Sequence, residues 1–170
     1  MPTTILTDTA EDKLLLAAGS GAQVAITQVA LGDANGASYV GDFAQTALRN
    51  ERIRVPIETR HIIDPNAWRV RAEFGADTVA FDVREAGFYD EDGDLIALCT
   101  FPAEEVRRTG GIVYLIDHVL SFSRVADGLI IADAPDDDLF DLSVTVALAL
   151  ANLQVEQLRQ ADLIDSLLDQ

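Results

Sequence analysis

The hydrophobic pattern changes character along the chain. In "RIRVPIETRHII" (52–63), Ile53, Val55 and Ile57 alternate with Arg52, Arg54, Glu58 and Arg60. A period of two predicts a strand with one wet face. Pro56 offers no N–H, so this strand belongs at an edge or a bulge. "WRVRAEF" (68–74) alternates again, with Trp68, Val70, Ala72 and Phe74 on one side. With the turn "DPNA" (64–67) between them, the two segments predict a hairpin whose Arg and Glu side chains face each other across strands. "QVAITQVAL" (23–31) is apolar and β-branched and predicts a strand covered on both faces. Further strands are expected at 78–90, 95–101 and 110–125, with a short one at 128–131. "GDANGASYVGD" (32–42) predicts a loop. Near the start, "TAEDKLLLAA" (9–18) predicts a helix with Thr9 as cap, ended by "GSG" at 19–21.

After the acidic break "DAPDDD" (133–138) the period lengthens. From Ser143 to Leu168 there is neither Gly nor Pro, which predicts one long helix capped by Asp141 or Ser143. Val146, Leu150, Leu153, Ala161, Ile164 and Leu168 fall in one stripe, with Gln157 in its middle. The plain expectation is a helix packed on its own domain. The sharper one is an oligomeric coiled coil with a polar layer at Gln157. A second apolar row, Ala147, Ala151 and Leu158, makes the face wider than a two-stranded seam needs. The class predicted is α+β: an N-terminal helix, a mostly antiparallel, sandwich-like β domain over 1–135, and a protruding oligomerisation helix over 141–169.

Charge narrows the functions. With 29 acids against 12 bases the net charge is −17, and Lys13 is the one lysine. A nucleic-acid partner needs clustered cations, and the densest basic run (Arg49, Arg52, Arg54) is interleaved with Asn50, Glu51 and Ile53. An anionic membrane surface is disfavoured for the same reason. No apolar run approaches the ~18 residues that a membrane span needs, and no basic stretch followed by an apolar one marks a secretory signal. Cys99 is alone among apolar neighbours, so a buried, inert thiol is expected.

"GFYDEDGDLIAL" (87–98) is the stretch closest to a metal site. Asp90, Asp92 and Asp94 occupy positions one, three and five of a calcium loop, but Leu95 stands at the obligatory glycine and Phe101 at the bidentate glutamate. Strand-like flanks and the central Asp92-Gly93 predict a hairpin with a type I′ turn instead, its acids simply solvated. His61 and His118 sit inside strand patterns, no Gly-x-Ser-x-Gly elbow occurs, and Cys and His are too scattered for zinc. No catalytic residue, metal or cofactor is therefore expected.

Three blocks, taken in order, resemble the N-terminal domain of the phage tail-fibre (tail-collar fibre) proteins of contractile-tailed phages and related particles. They are "ITQVALGDANG", "QTALRNERIRVPI" and "VREAGFYDEDGDLIAL", with "TGG…LSFS" a looser fourth, over about residues 5–130. The resemblance implies a trimeric structural protein of the virion, made in the host cytoplasm and anchored to the baseplate at the tail tip. It makes Arg84, Glu85, Gly87, Asp92 and Gly93 a structural hairpin. Long fibres of the family continue into shaft and receptor-binding regions, whereas this chain stops at Gln170. The expectation is thus an adaptor whose helix, through Val146, Leu150, Leu153, Gln157, Ala161, Ile164 and Leu168, joins its copies and holds a distal fibre protein. Two alternatives are a glycan-binding host-recognition module, which needs Tyr39, Phe43, Trp68, Tyr89 and Tyr114 exposed on one face, and a hydrolase using an Asp/Glu pair.

Overall fold

The structure, a computed structural model, describes residues 3–122 and 129–168. Along the chain lie β1 (Thr3–Leu6), α1 (Asp8–Ser20), β2 (Val24–Gly32), β3 (Glu51–Pro56), β4 (Thr59–Asp64) and β5 (Ala67–Phe74). Then come β6 (Asp82–Val83), β7 (Glu85–Asp90), β8 (Leu95–Thr100), β9 (Arg107–Arg108), β10 (Tyr114–Ser121), β11 (Ile130–Ala132) and α2 (Asp138–Leu168). The α+β class is as the pattern predicts. The chain divides into two compact units, Met1–Asp136 and Asp137–Gln170.

In the first unit the larger sheet runs β1-β8-β7-β2-β11, with β3 also paired to β2. Its pairs are antiparallel except for β11 on β2. A second sheet runs β10-β5-β4, and β6 pairs with β9 in a short ribbon. Alternation along each strand turns one apolar face of each sheet inward. Ile26, Val29, Phe88 and Ile96 of the larger sheet join Trp68, Val70, Phe74 and Leu120 of the smaller one in a single buried cluster. Ala10, Leu14 and Ala17 of α1 belong to it as well. β8 is buried on both faces: Ile96 and Cys99 lie in that cluster, while Leu95 and Leu98 lie in a second one with Ala30, Leu48 and Tyr89. Cys99 is buried, as its neighbours imply.

Several expectations need correction. Segment 52–63 is two strands in two sheets. β3 pairs with β2, and β4 forms the expected hairpin with β5. Pro56 ends β3; Ile57 N–H then donates to Thr27 and Glu58 N–H to Arg71, so the chain changes sheet between those two residues. β5 is the centre of its sheet, and Arg69 pairs with Asp117 of β10 at 2.5 Å. α1 starts earlier than expected, because Thr7, not Thr9, is its cap and accepts from Ala10 N–H. α2 also starts earlier: Asp137 Oδ1 accepts from Phe140 N–H at 3.0 Å. β1 and β9 were not visible in the pattern, being four and two residues long. The end of the strand expected to reach Val125 lies outside the described residues.

The membrane expectation also changes. Asp138–Gln160 forms a helix long and apolar enough to cross a bilayer by length and composition. Its uncharged part, Leu142–Val155, covers 14 residues; at about 1.5 Å each that is about 21 Å, short of the ~30 Å hydrocarbon layer.

Candidate functional site: a buried carboxylate clamp, a hairpin tip and an apolar helix

Glu85 opens β7 and is fully buried. A buried carboxylate persists where donors surround it, and three do. Tyr39 Oη donates at 2.6 Å, Arg49 N–H at 3.0 Å and Asn50 N–H at 2.9 Å. Tyr39 is held in turn by Gln45 Nε2 at 3.1 Å and by the Arg49 guanidinium, 3.6 Å above its ring. Burial and the hydrogen bond to Glu85 push the Tyr39 hydroxyl well above the usual tyrosine range. Asn50 Nδ2 donates to Asp33 at 2.7 Å, and Asp33 also accepts from Asn35 N–H. "GDANG", "QTALRNE" and "REAGFY" thus converge on one carboxylate, which clamps the 37–50 loop over the outer face of the larger sheet.

Two glycines make this approach possible. A Cβ on Gly32 would lie 2.4 Å from Glu85 Oε1. A Cβ on Gly87 would meet Tyr89 at 2.8 Å and Leu95 at 2.9 Å. Beneath the loop, Tyr89 Oη accepts from Leu48 N–H at 3.3 Å and the Arg54 guanidinium stacks 3.5 Å over its ring. Burial pushes the Tyr89 hydroxyl up to about 12. Arg84 reaches Ser38 at 3.3 Å and Asp82 at 3.5 Å. Of the residues expected in a structural hairpin, Arg84 precedes β7, and Glu85 and Gly87 lie in it. The convergence on Glu85 was missed, since its partners come from segments 35 or more residues away and two of them donate through backbone.

The hairpin forms, but its turn is not type I′. Gly93 has φ of 85°, whereas Asp92 is not in the left-handed region. Gly93 N–H donates to Asp90 C=O at 3.2 Å and Asp90 N–H to Asp94 C=O at 3.1 Å. This is a three-residue loop closed by a left-handed glycine, the next most common hairpin connection. Nor are the acids merely solvated. Asp90 is 4 % exposed and accepts from Asp94 N–H. Lys13 of α1 reaches Asp90, Asp92 and Asp94 at 2.5, 2.8 and 2.7 Å. Burial alone lowers the Lys13 ammonium, but hydrogen bonds to the three carboxylates outweigh it and hold the group above the ordinary lysine range. The three carboxylates lie within 4.8 Å of one another, close enough for a metal ion, and an ammonium sits among them.

The remaining chemistry-bearing residues are absorbed by packing. His118 stacks on Phe88, centroids 5.3 Å apart, and its Nε2 lies 3.0 Å from Thr4 Oγ1. Of the aromatics that a glycan face would need, Trp68 and Tyr89 are buried, Tyr114 packs edge-on to Phe74, and Tyr39 serves the clamp. Phe43 is exposed. In the second unit, Val146, Leu150, Leu153 and Gln157 lie exposed on α2. The side chains of Ala161, Ile164 and Leu168 lie outside the described residues.

A domain whose polar groups hold its own loops is followed by a helix with exposed apolar side chains. The chain belongs to the phage tail-collar fibre proteins: the model of that family's N-terminal domain matches residues 1–113. It is accordingly a virion-associated tail component. The match ends ahead of β10, short of residue 130 or so, to which the resemblance ran from about residue 5, and it covers the three blocks that meet at Glu85. Nothing among curated proteins or solved structures matches the chain.

Proposed function

We propose that this protein is an adaptor that anchors a tail fibre to the baseplate. The β domain docks on the baseplate, and α2 associates with its copies, as a trimer, and carries the distal fibre protein. One observation carries the reading: a tail-fibre N-terminal domain is followed by a helix whose large apolar residues, among them Leu150 at 57 % and Leu153 at 60 %, stand exposed. A water-soluble chain gains about 1.5–3 kcal/mol for each such side chain it buries, before entropy costs. In the trimer, Val146, Leu150 and Leu153 form apolar layers. Gln157 supplies the polar layer that fixes register. The acidic surface disfavours nucleic acid as a partner. Gold labelling of the chain in intact particles tests the location: label at the baseplate is expected, and label along the tail shaft or on the head contradicts it. The glycan-binding reading is the weaker one, because four of its five aromatics are engaged inside the domain.

A further inference from the structure

α2 carries apolar side chains on two opposite sides, and self-association uses one. At about 100° per residue, Leu142, Val146, Leu150 and Leu153 share a side with Gln157. Val144, Leu148, Ala151, Val155 and Leu158 share another, roughly 160° away. No polar residue interrupts this second seam. Leu148 is 61 % and Leu158 67 % exposed. Thr145, Asn152, Glu156 and Arg159 fill the strip between the two seams on one flank. A helix apolar on more than one side belongs in the interior of a larger bundle.

We propose that the second seam docks an amphipathic helix of a different protein chain, laid along α2 from Val144 to Leu158. The inference rests on the reading that the first seam joins copies of this chain. A closed three-fold set satisfies one seam per helix. Copies that also used the opposite seam would make head-to-tail contacts that run on without closing. A bilayer is a poor occupant, since the uncharged stretch is about 21 Å long. Charge adds a requirement on the partner. Residues 137–170 hold seven acids (Asp137, Asp138, Asp141, Glu156, Asp162, Asp165, Asp169) and one base, Arg159. The helix that fits has apolar residues at three- and four-residue spacing and basic flanks.

Single cysteines read out both seams, because the native Cys99 is buried. Leu148→Cys and Leu150→Cys are made in the full chain and treated with a maleimide, first as the purified protein and then in assembled tail particles. Position 148 should react fully in the isolated chain and at least tenfold more slowly in particles. A thiol-anchored photo-crosslinker at 148 in particles should yield an adduct with a different chain. Shielding of 148 in the isolated protein, equal reactivity in particles, or an adduct with a second copy overturns the proposal. Position 150 reports separately: rapid reaction there in the isolated protein means that the copies do not meet through the first seam, whatever position 148 does.

Discussion

At the scale of single residues, Glu85 is the centre of the domain's polar architecture. Removing its carboxylate leaves a buried position facing a tyrosine hydroxyl and two backbone N–H groups, all half-buried, without their acceptor. Glu85→Ala should cost about 3–4 kcal/mol by urea unfolding; a loss below about 1 kcal/mol contradicts the clamp. Gly87→Ala should cost about 1–3 kcal/mol, because its methyl would overlap Tyr89 and Leu95. The place of Arg84, Glu85 and Gly87 beside a hairpin was legible from the three blocks. Their partners were not, because a backbone N–H carries no side-chain signature. His118 gives a pH-dependent test. Burial holds its imidazole below the ordinary histidine range, with the Asp117 charge acting the other way. The unfolded chain therefore binds the extra proton first, and stability falls as pH drops below ~6.5. His118→Gln should flatten that fall, seen as a smaller drop in Tm between pH 7 and pH 5.5. An unchanged slope contradicts the assignment.

Elements were legible where the pattern was strong and local. The β4–β5 and β7–β8 hairpins, the covered β2 and the helix before Gly21 all follow from apolar spacing and turn residues. What failed was tertiary. Nothing in "RIRVPIETRHII" says that its two halves enter different sheets. The hairpin tip is the instructive case: Asp90, Asp92 and Asp94 look like idle surface acids until α1 brings Lys13 among them from 77 or more residues away. The three acids should then differ in weight. Asp90 is nearly buried and caps its own turn, so Asp90→Asn should cost about 1–3 kcal/mol. Asp92 is 72 % exposed, and Asp92→Asn should fall within about 0.5 kcal/mol of the parent. Equal effects in thermal or urea unfolding would mean that Lys13 does not organise the tip.

At the scale of the whole molecule, the sequence announces a change of texture near residue 137, and the two compact units divide there. Its first part declares a family through the order of three blocks rather than through any reactive group. On the helix, large apolar residues such as Leu150 and Leu153 are exposed. A single stripe was visible in its spacing; the opposite seam was less so, because Ala147 and Ala151 made it read as one broad face. Association of the purified chain through the first seam of α2 is tested directly by its mass in solution. Light scattering of the full protein should give three times the 18.4 kDa chain mass, and Leu150→Asp with Leu153→Asp should give the single-chain mass. A parent protein that stays monomeric as its concentration is raised would contradict the account.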